Sequence, residues 1–126
     1  MRVDGSTACM TVDGATDTEV FEVYVQHVLS PTLQPGDVVI MDNLSPHKGA
    51  AVQKLIEKAG AKIVFLPSYS PDLNPIEKMW SKVKSDLRTT EARNQQALND
   101  AIAASLSSIT RQNAVNWFVS CGYSFI

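Results

Sequence analysis

Asp37-Val38-Val39-Ile40-Met41-Asp42 is the stretch on which the fold turns. Its apolar residues run without alternation between two acids, the pattern of a strand covered on both faces of a parallel sheet. The run is too short for a helix, and Pro35-Gly36 before it ends whatever precedes. A second such run, Lys62-Ile63-Val64-Phe65-Leu66, lies downstream. Between them, residues 48–59 place Val52, Leu55 and Ile56 at helical spacing, with Gly60 as the C′ residue. Strand, helix, strand in this order predicts a parallel pair in an α/β sheet.

Working outward, residues 17–30 read as a helix. Thr16 or Asp17 caps it, Glu19 lies in its first turn, and Val20, Phe21, Tyr24, Val25, Val28 and Leu29 recur at helical spacing. Pro31 ends it. Residues 7–12 read as a strand closed by Asp13-Gly14, and residues 1–4 as the tail of another, joined to it as a hairpin through Gly5-Ser6. After the second buried run, the loop Pro67–Leu73 is rich in turn formers. A helix over 75–88 follows, with Ile76, Met79, Trp80, Val83 and Leu87 on one stripe, then helices over 94–107 and 111–120. Thr110 caps the last and Gly122 ends it. Trp80 and Trp117 fall on apolar stripes and are expected in the core. Residues 1–126 read as one domain without repeats or linkers.

Apolar residues make up 44% of the chain and charged ones 19%, which places it among ordinary globular proteins. No run approaches the ~18 apolar residues of a membrane span, and Met1-Arg2-Val3-Asp4-Gly5 lacks the apolar core of a secretory signal. Cys9 and Cys121 form no C-x-x-C pattern and read as two reduced thiols, so a cytoplasmic protein is expected. The net charge of −2 argues against a long grip on nucleic acid, so DNA binding must rest on local chemistry or a basic module elsewhere.

Two carboxylates stand out. Asp42 ends a buried strand at the edge where α/β sheets place ligands. Glu77 lies in the first turn of the helix after the next strand. If the strands are parallel neighbours, the two acids can meet above the sheet edge. Paired acids repel unless a cation intervenes, and oxygen-only ligands suit Mg²⁺ or Mn²⁺. Such a pair is what two-metal phosphoryl transfer requires. A plainer reading stands beside it. Asp42-Asn43 can simply turn the chain, and Asn74-Pro75-Ile76-Glu77 makes a good capping box, with Asn74 as N-cap and Glu77 reaching back.

The strings Val39-Ile40-Met41-Asp42-Asn43-Leu44-Ser45-Pro46-His47-Lys48 and Leu66-Pro67-Ser68-Tyr69-Ser70-Pro71-Asp72-Leu73-Asn74-Pro75-Ile76-Glu77 resemble two signature blocks of one family. These are the blocks of bacterial insertion-sequence transposases of the mariner superfamily. The resemblance extends to Gly122-Tyr123. It implies an RNase H-like DDE nuclease fold in which Asp42 and Glu77 are the second and third catalytic acids and metal ligands. It further implies a two-metal Mg²⁺ or Mn²⁺ site and DNA partners, both transposon ends and target, in a bacterial, nucleoid-associated setting. Against that pattern the chain is incomplete: the first strand with its Asp, and part of the second, have no counterpart. Neither Asp4 nor Asp13 matches the first acid. The chain is therefore expected to be inactive alone and to cover its open sheet in a homodimer by strand swapping or edge pairing. The alternative is a non-catalytic, truncated transposase product acting as a dimerising or regulatory protein.

Lesser candidates surround the two acids. His47 can bind a DNA phosphate or steady a carboxylate, or else be a solvated residue at a helix start. Asn43 and Asn74 are turn or cap residues with a secondary claim to substrate contact, and Asp72 is a reserve acid in a turn. Lys48 lies beside His47. Lys78, Lys82, Lys84 and Arg88 make a basic helix face that can track phosphates or stay solvated.

Overall fold

The computed structural model describes all residues except 13, 15, 16, 44, 125 and 126. Asp13, Thr16 and Leu44, named above as turn, cap and motif residues, thus lie outside the described residues. The chain divides into two compact units, Ala8–Pro71, and Met1–Thr7 together with Asp72–Ile126.

In the first unit, strand β1 (Val38–Met41) pairs in parallel with β2 (Lys62–Phe65), in the register Val38↔Lys62 to Met41↔Phe65. Helix α2 (Ala50–Lys58) makes the crossover. Its fully buried Val52 and Ile56 meet Val25, Met41 and Ala61 in the core, with Val39, Ile63 and Phe65 packed against it. Helix and strand arrive together because Gly60 (φ +84°) reverses the chain. Its N–H bonds the Glu57 carbonyl, and its carbonyl accepts from Gly36. A Cβ there would lie 3.0 Å from Pro35 Cα, so no other residue fits unstrained.

Helix α1 (Thr18–Tyr24) starts where expected, with the Asp17 carboxylate accepting from Val20 N–H at 2.9 Å. The single helix read over 17–30 instead widens into a π-turn, Val25–Leu29, and tightens into a 3₁₀ turn, Ser30–Thr32. Pro31 has no N–H to continue an α-ladder, so the last bonds reach to other carbonyls, Ser30 N–H to Val25 among them. Helix α2 likewise begins later than expected, after a 3₁₀ turn over Ser45–Lys48.

Further expectations are corrected. Residues 1–4 and 7–12 form no strands. Arg2 and Ser6 exchange one backbone bond of 2.9 Å around Gly5, and the Asp4 carboxylate closes the turn onto Ser6 N–H at 2.8 Å. No ladder follows. The Ala8 carbonyl takes its bond from the Tyr24 hydroxyl, at 2.7 Å, rather than from a neighbouring strand. Nor is the parallel pair covered on both faces: Val38 and Val64 are 54% and 48% exposed. The first unit's helices bury only the Val39, Met41, Ile63 and Phe65 side of the sheet, leaving the other apolar face open.

The second unit packs α3 (Pro75–Thr90) against α4 (Gln95–Ser107) and α5 (Arg111–Ser120). Met79 and Val83 carry the buried stripe of α3, while Trp80, expected in the core, sits at its margin and is 36% exposed. Asn94 caps α4, and Thr110 with Asn113 forms a capping box on α5. Gly5 packs on the Thr110 carbonyl, so closely that a Cβ would stand 3.0 Å from its oxygen. Cys9 and Cys121 are free thiols.

A polar clasp joins α3 to α4. The Lys82 ammonium donates to Asp86 and to Ser108, each at 2.6 Å, and the buried Ser105 hydroxyl donates to Asp86 at 2.6 Å. The Lys82 and Ser105 bonds hold the Asp86 carboxyl below its ordinary range. A carboxyl depressed in the folded state stabilises the fold above its unfolded pKa, about 3.9, and loses that contribution as the pH falls through the lower folded value. The Asp86 side chain is 41% exposed, so solvent moderates the effect. Asp86→Asn is expected to flatten the fall in Tm below about pH 4. An unchanged acid limb in a melting series would show that the clasp contributes nothing.

Candidate functional site

Asp42 stands one residue beyond β1, at the carboxyl edge of the parallel pair. The ladder runs right up to it, because Leu66 N–H bonds the Met41 carbonyl at 2.7 Å. The loops leaving the two strands are then tied by Asn43 Nδ2, which donates to Ser68 Oγ at 2.9 Å. That bond gives Asn43 a bracing role.

The chain turns after Asn43 and brings His47 back over Asp42. His47 Nδ1 lies 2.5 Å from Asp42 Oδ1 and 3.3 Å from the Asp42 carbonyl. The His47 ring rests on Phe21 of α1, with centroids 4.4 Å apart. Asp42 Oδ1 is buried and has no hydrogen bond of proper geometry, although Nδ1 is so near. The close approach fixes where the imidazole sits; its angles fall short of an aligned bond. The side chain as a whole is 40% exposed, so the rest of the carboxylate reaches solvent. His47 is therefore not a freely solvated helix-start residue: its side chain is 21% exposed and held between Phe21 and Asp42. Lys48 is exposed beside it, its carbonyl taken by Gln53 Nε2 at 2.9 Å.

Glu77 belongs to the second unit. It is exposed in the first turn of α3, where Asn74 is the N-cap and Pro75 follows it. The capping box read from Asn74-Pro75-Ile76-Glu77 does not form. The Asn74 side chain makes no cap bond, and the turn is closed by Glu77 N–H to the Asn74 carbonyl at 3.1 Å. Asp72 is exposed in the 3₁₀ turn Pro71–Leu73, whose last carbonyl accepts from the Tyr123 hydroxyl at 2.9 Å. Of the basic face, Lys78, Lys84 and Arg88 are exposed, while Lys82 is committed to the clasp.

In kind, carboxylate oxygens fit a hard divalent cation, and an orphaned buried Oδ1 on Asp42 is the sort of atom such an ion satisfies. In number the donors fall short. Among the described residues no group of three or more His, Cys, Asp or Glu side chains is gathered to hold an ion. Sequence reasoning missed the Phe21 contact, the Asn43–Ser68 bond and Tyr69, whose place inside a turn-forming string was its one available signal. No helix among the described residues is long and apolar enough to cross a membrane.

Comparison with known proteins is consistent with this chemistry. A family model described as DDE superfamily endonuclease matches residues 1–99. The chain is similar to the transposable element Tcb2 transposase of Caenorhabditis briggsae, 29% identical over 87 residues, which are 66% of this chain and 32% of that protein. It is also similar to the Tcb1 transposase of the same nematode, 29% identical over 100 residues, 76% of this chain and 37% of that protein. The chain thus spans about a third of the length of these curated relatives.

Proposed function

The chain belongs to the DDE superfamily endonuclease family, and on that premise we propose that it is the catalytic-domain portion of a DNA transposase. The family implies an RNase H-like fold and, in general, dependence on a divalent metal. The finer reading is an insertion-sequence enzyme of bacterial type that acts on transposon ends and target DNA.

The observation that carries this reading is Asp42: a carboxylate at the end of a parallel strand, one oxygen buried and unsatisfied, with an imidazole held against it. Asp42 and Glu77 are the two acids of this chain that would hold Mg²⁺ or Mn²⁺. Glu77 supports that assignment because its competing role as a capping residue is not taken up. Bound metal in such enzymes lowers the pKa of the attacking water or 3′-hydroxyl and neutralises charge on the leaving oxygen. The chain's own part is placement. β1 delivers Asp42 to the edge, and His47, backed by Phe21, limits the directions its carboxylate can take. Asn43 and Ser68 hold the two loops together, so that Asp42 does not drift with its loop. Exposed Lys78 and Lys48 are available to phosphates.

Among the described residues no third acid joins the set. The exposed Val38–Val64 face is where additional structure has apolar surface to cover. Two carboxylates leave a two-metal site under-ligated, so the 126 residues alone are a poor nuclease. The same open face favours a second reading, a non-catalytic transposase product that pairs through it as a homodimer.

Crystals soaked in Mn²⁺ decide between them. Anomalous density within coordination reach of Asp42 and Glu77 is the expected result. Mn²⁺ bound elsewhere, or nowhere, removes the catalytic assignment and leaves the pairing role.

A further inference from the structure

Tyr69 is the anomaly of the first unit. Its side chain is 102% exposed, so the ring touches nothing that would stabilise the fold. Its backbone is left-handed, at φ +58°, a region that a bulky aromatic residue rarely occupies. Glycine or asparagine would sit there at less cost. A residue that strains the backbone and buries nothing points to a contact outside the chain.

Its surroundings say where. Ser68, one residue earlier, is bonded to Asn43, the neighbour of Asp42. Ser70, one residue later, turns its hydroxyl back to the Ser68 carbonyl at 3.3 Å. The loop bearing Tyr69 is thus tied to the loop bearing Asp42, and the ring projects into solvent from the carboxyl edge of the β1–β2 pair.

We propose that the Tyr69 ring is a stacking platform for an unpaired nucleobase of the DNA strand whose phosphodiester is presented to Asp42. The inference rests on the proposed DNA-cleaving function and adds a substrate contact to it. Stacking suits this chain because it needs no positive charge. A net charge of −2 and an acid-bearing edge offer little long-range attraction to phosphate, and a flat ring gives local affinity that tolerates every base. The strained backbone pre-sets the ring and reduces the ordering that binding would otherwise demand.

The test uses the 126-residue chain and a duplex with a single-stranded 3′ overhang carrying 2-aminopurine, whose fluorescence is quenched by stacking. Tyr69→Gly is expected to weaken binding by roughly 5- to 100-fold and abolish the quench. Its Tm should stay level or rise, because the strain is relieved. Tyr69→Trp is expected to retain both binding and quench. Tyr69→Gly binding within twofold of the parent overturns the proposal, as does a parent chain that neither binds nor quenches. A lower Tm for Tyr69→Gly also overturns it, because the ring would then be serving the fold. Mn²⁺ binding by the parent is followed separately through the electron-spin resonance signal of the free ion. Quenching without Mn²⁺ binding would sink the nuclease reading and spare the stacking site. Mn²⁺ binding with a quench indifferent to Tyr69 would do the reverse.

Discussion

Asp42→Asn is expected to lower the affinity of the chain for Mn²⁺ by at least ~100-fold, with little change in Tm. The amide keeps the shape of the side chain but gives up the charge that a hard cation seeks. Stability should change little because Oδ1 makes no aligned hydrogen bond and the partly exposed contact with His47 is moderated by solvent. His47→Ala is the informative companion. The imidazole acts on the carboxylate from behind, and removing such a supporting partner typically costs 10–100-fold in metal affinity. The order Asp42→Asn worse than His47→Ala, both worse than Lys48→Ala, identifies Asp42 as the ligand and His47 as its positioning residue. Calorimetric titration with Mn²⁺ gives the three constants. Equal affinities across the series would dismiss Asp42 as a metal ligand, and any Mn²⁺-dependent nicking of supercoiled DNA should follow the same order.

Ile56→Ala carries the largest expected stability effect. Ile56 is fully buried where α2 meets the Val25, Met41, Val52 and Ala61 cluster. Its truncation removes apolar contact and leaves a void, at a cost of roughly 2–5 kcal/mol. That is a large fraction of the ~5–15 kcal/mol by which small domains are stable, so the first unit is expected to melt well below the parent. Ile56→Val should cost only ~0.5–1.5 kcal/mol. Urea denaturation read by circular dichroism separates the cases. A loss below about 1 kcal/mol for Ile56→Ala would mean that the α2–sheet packing described here is not the core.

What could be read from the residues beforehand follows from how local each signal is. The strands at Val38–Met41 and Lys62–Phe65 were legible because short unbroken apolar runs flanked by turn residues have few alternatives. Helix α5 was legible end to end because Thr110 and Gly122 mark its limits within a few residues. Residues 1–12 were not. A strand exists only with a partner, and whether a neighbour arrives is a non-local matter that period-two patterning does not report. The open Val38–Val64 face was hidden for the same reason: an unbroken apolar run says what could be covered, and the number of layers decides what is. At the site, Asp42 was visible from its place at a strand end. The support behind it was not, since Phe21 is far from His47 along the chain and meets it only through folding. Asn74 to Glu77 fits the capping pattern in letters, yet the Glu77 N–H that the Asn74 side chain would accept from is bonded to the Asn74 carbonyl instead.

The way the two units share the chain has a bearing on its synthesis. Ala8–Pro71 is continuous, so a ribosome has joined every residue of that unit before α3 is made. Met1–Thr7 is different: it precedes that unit in the chain, yet Gly5 finds its place only against Thr110, which follows it. These residues therefore wait for α5 to be made before they can dock, and their docking closes a long loop of intervening chain.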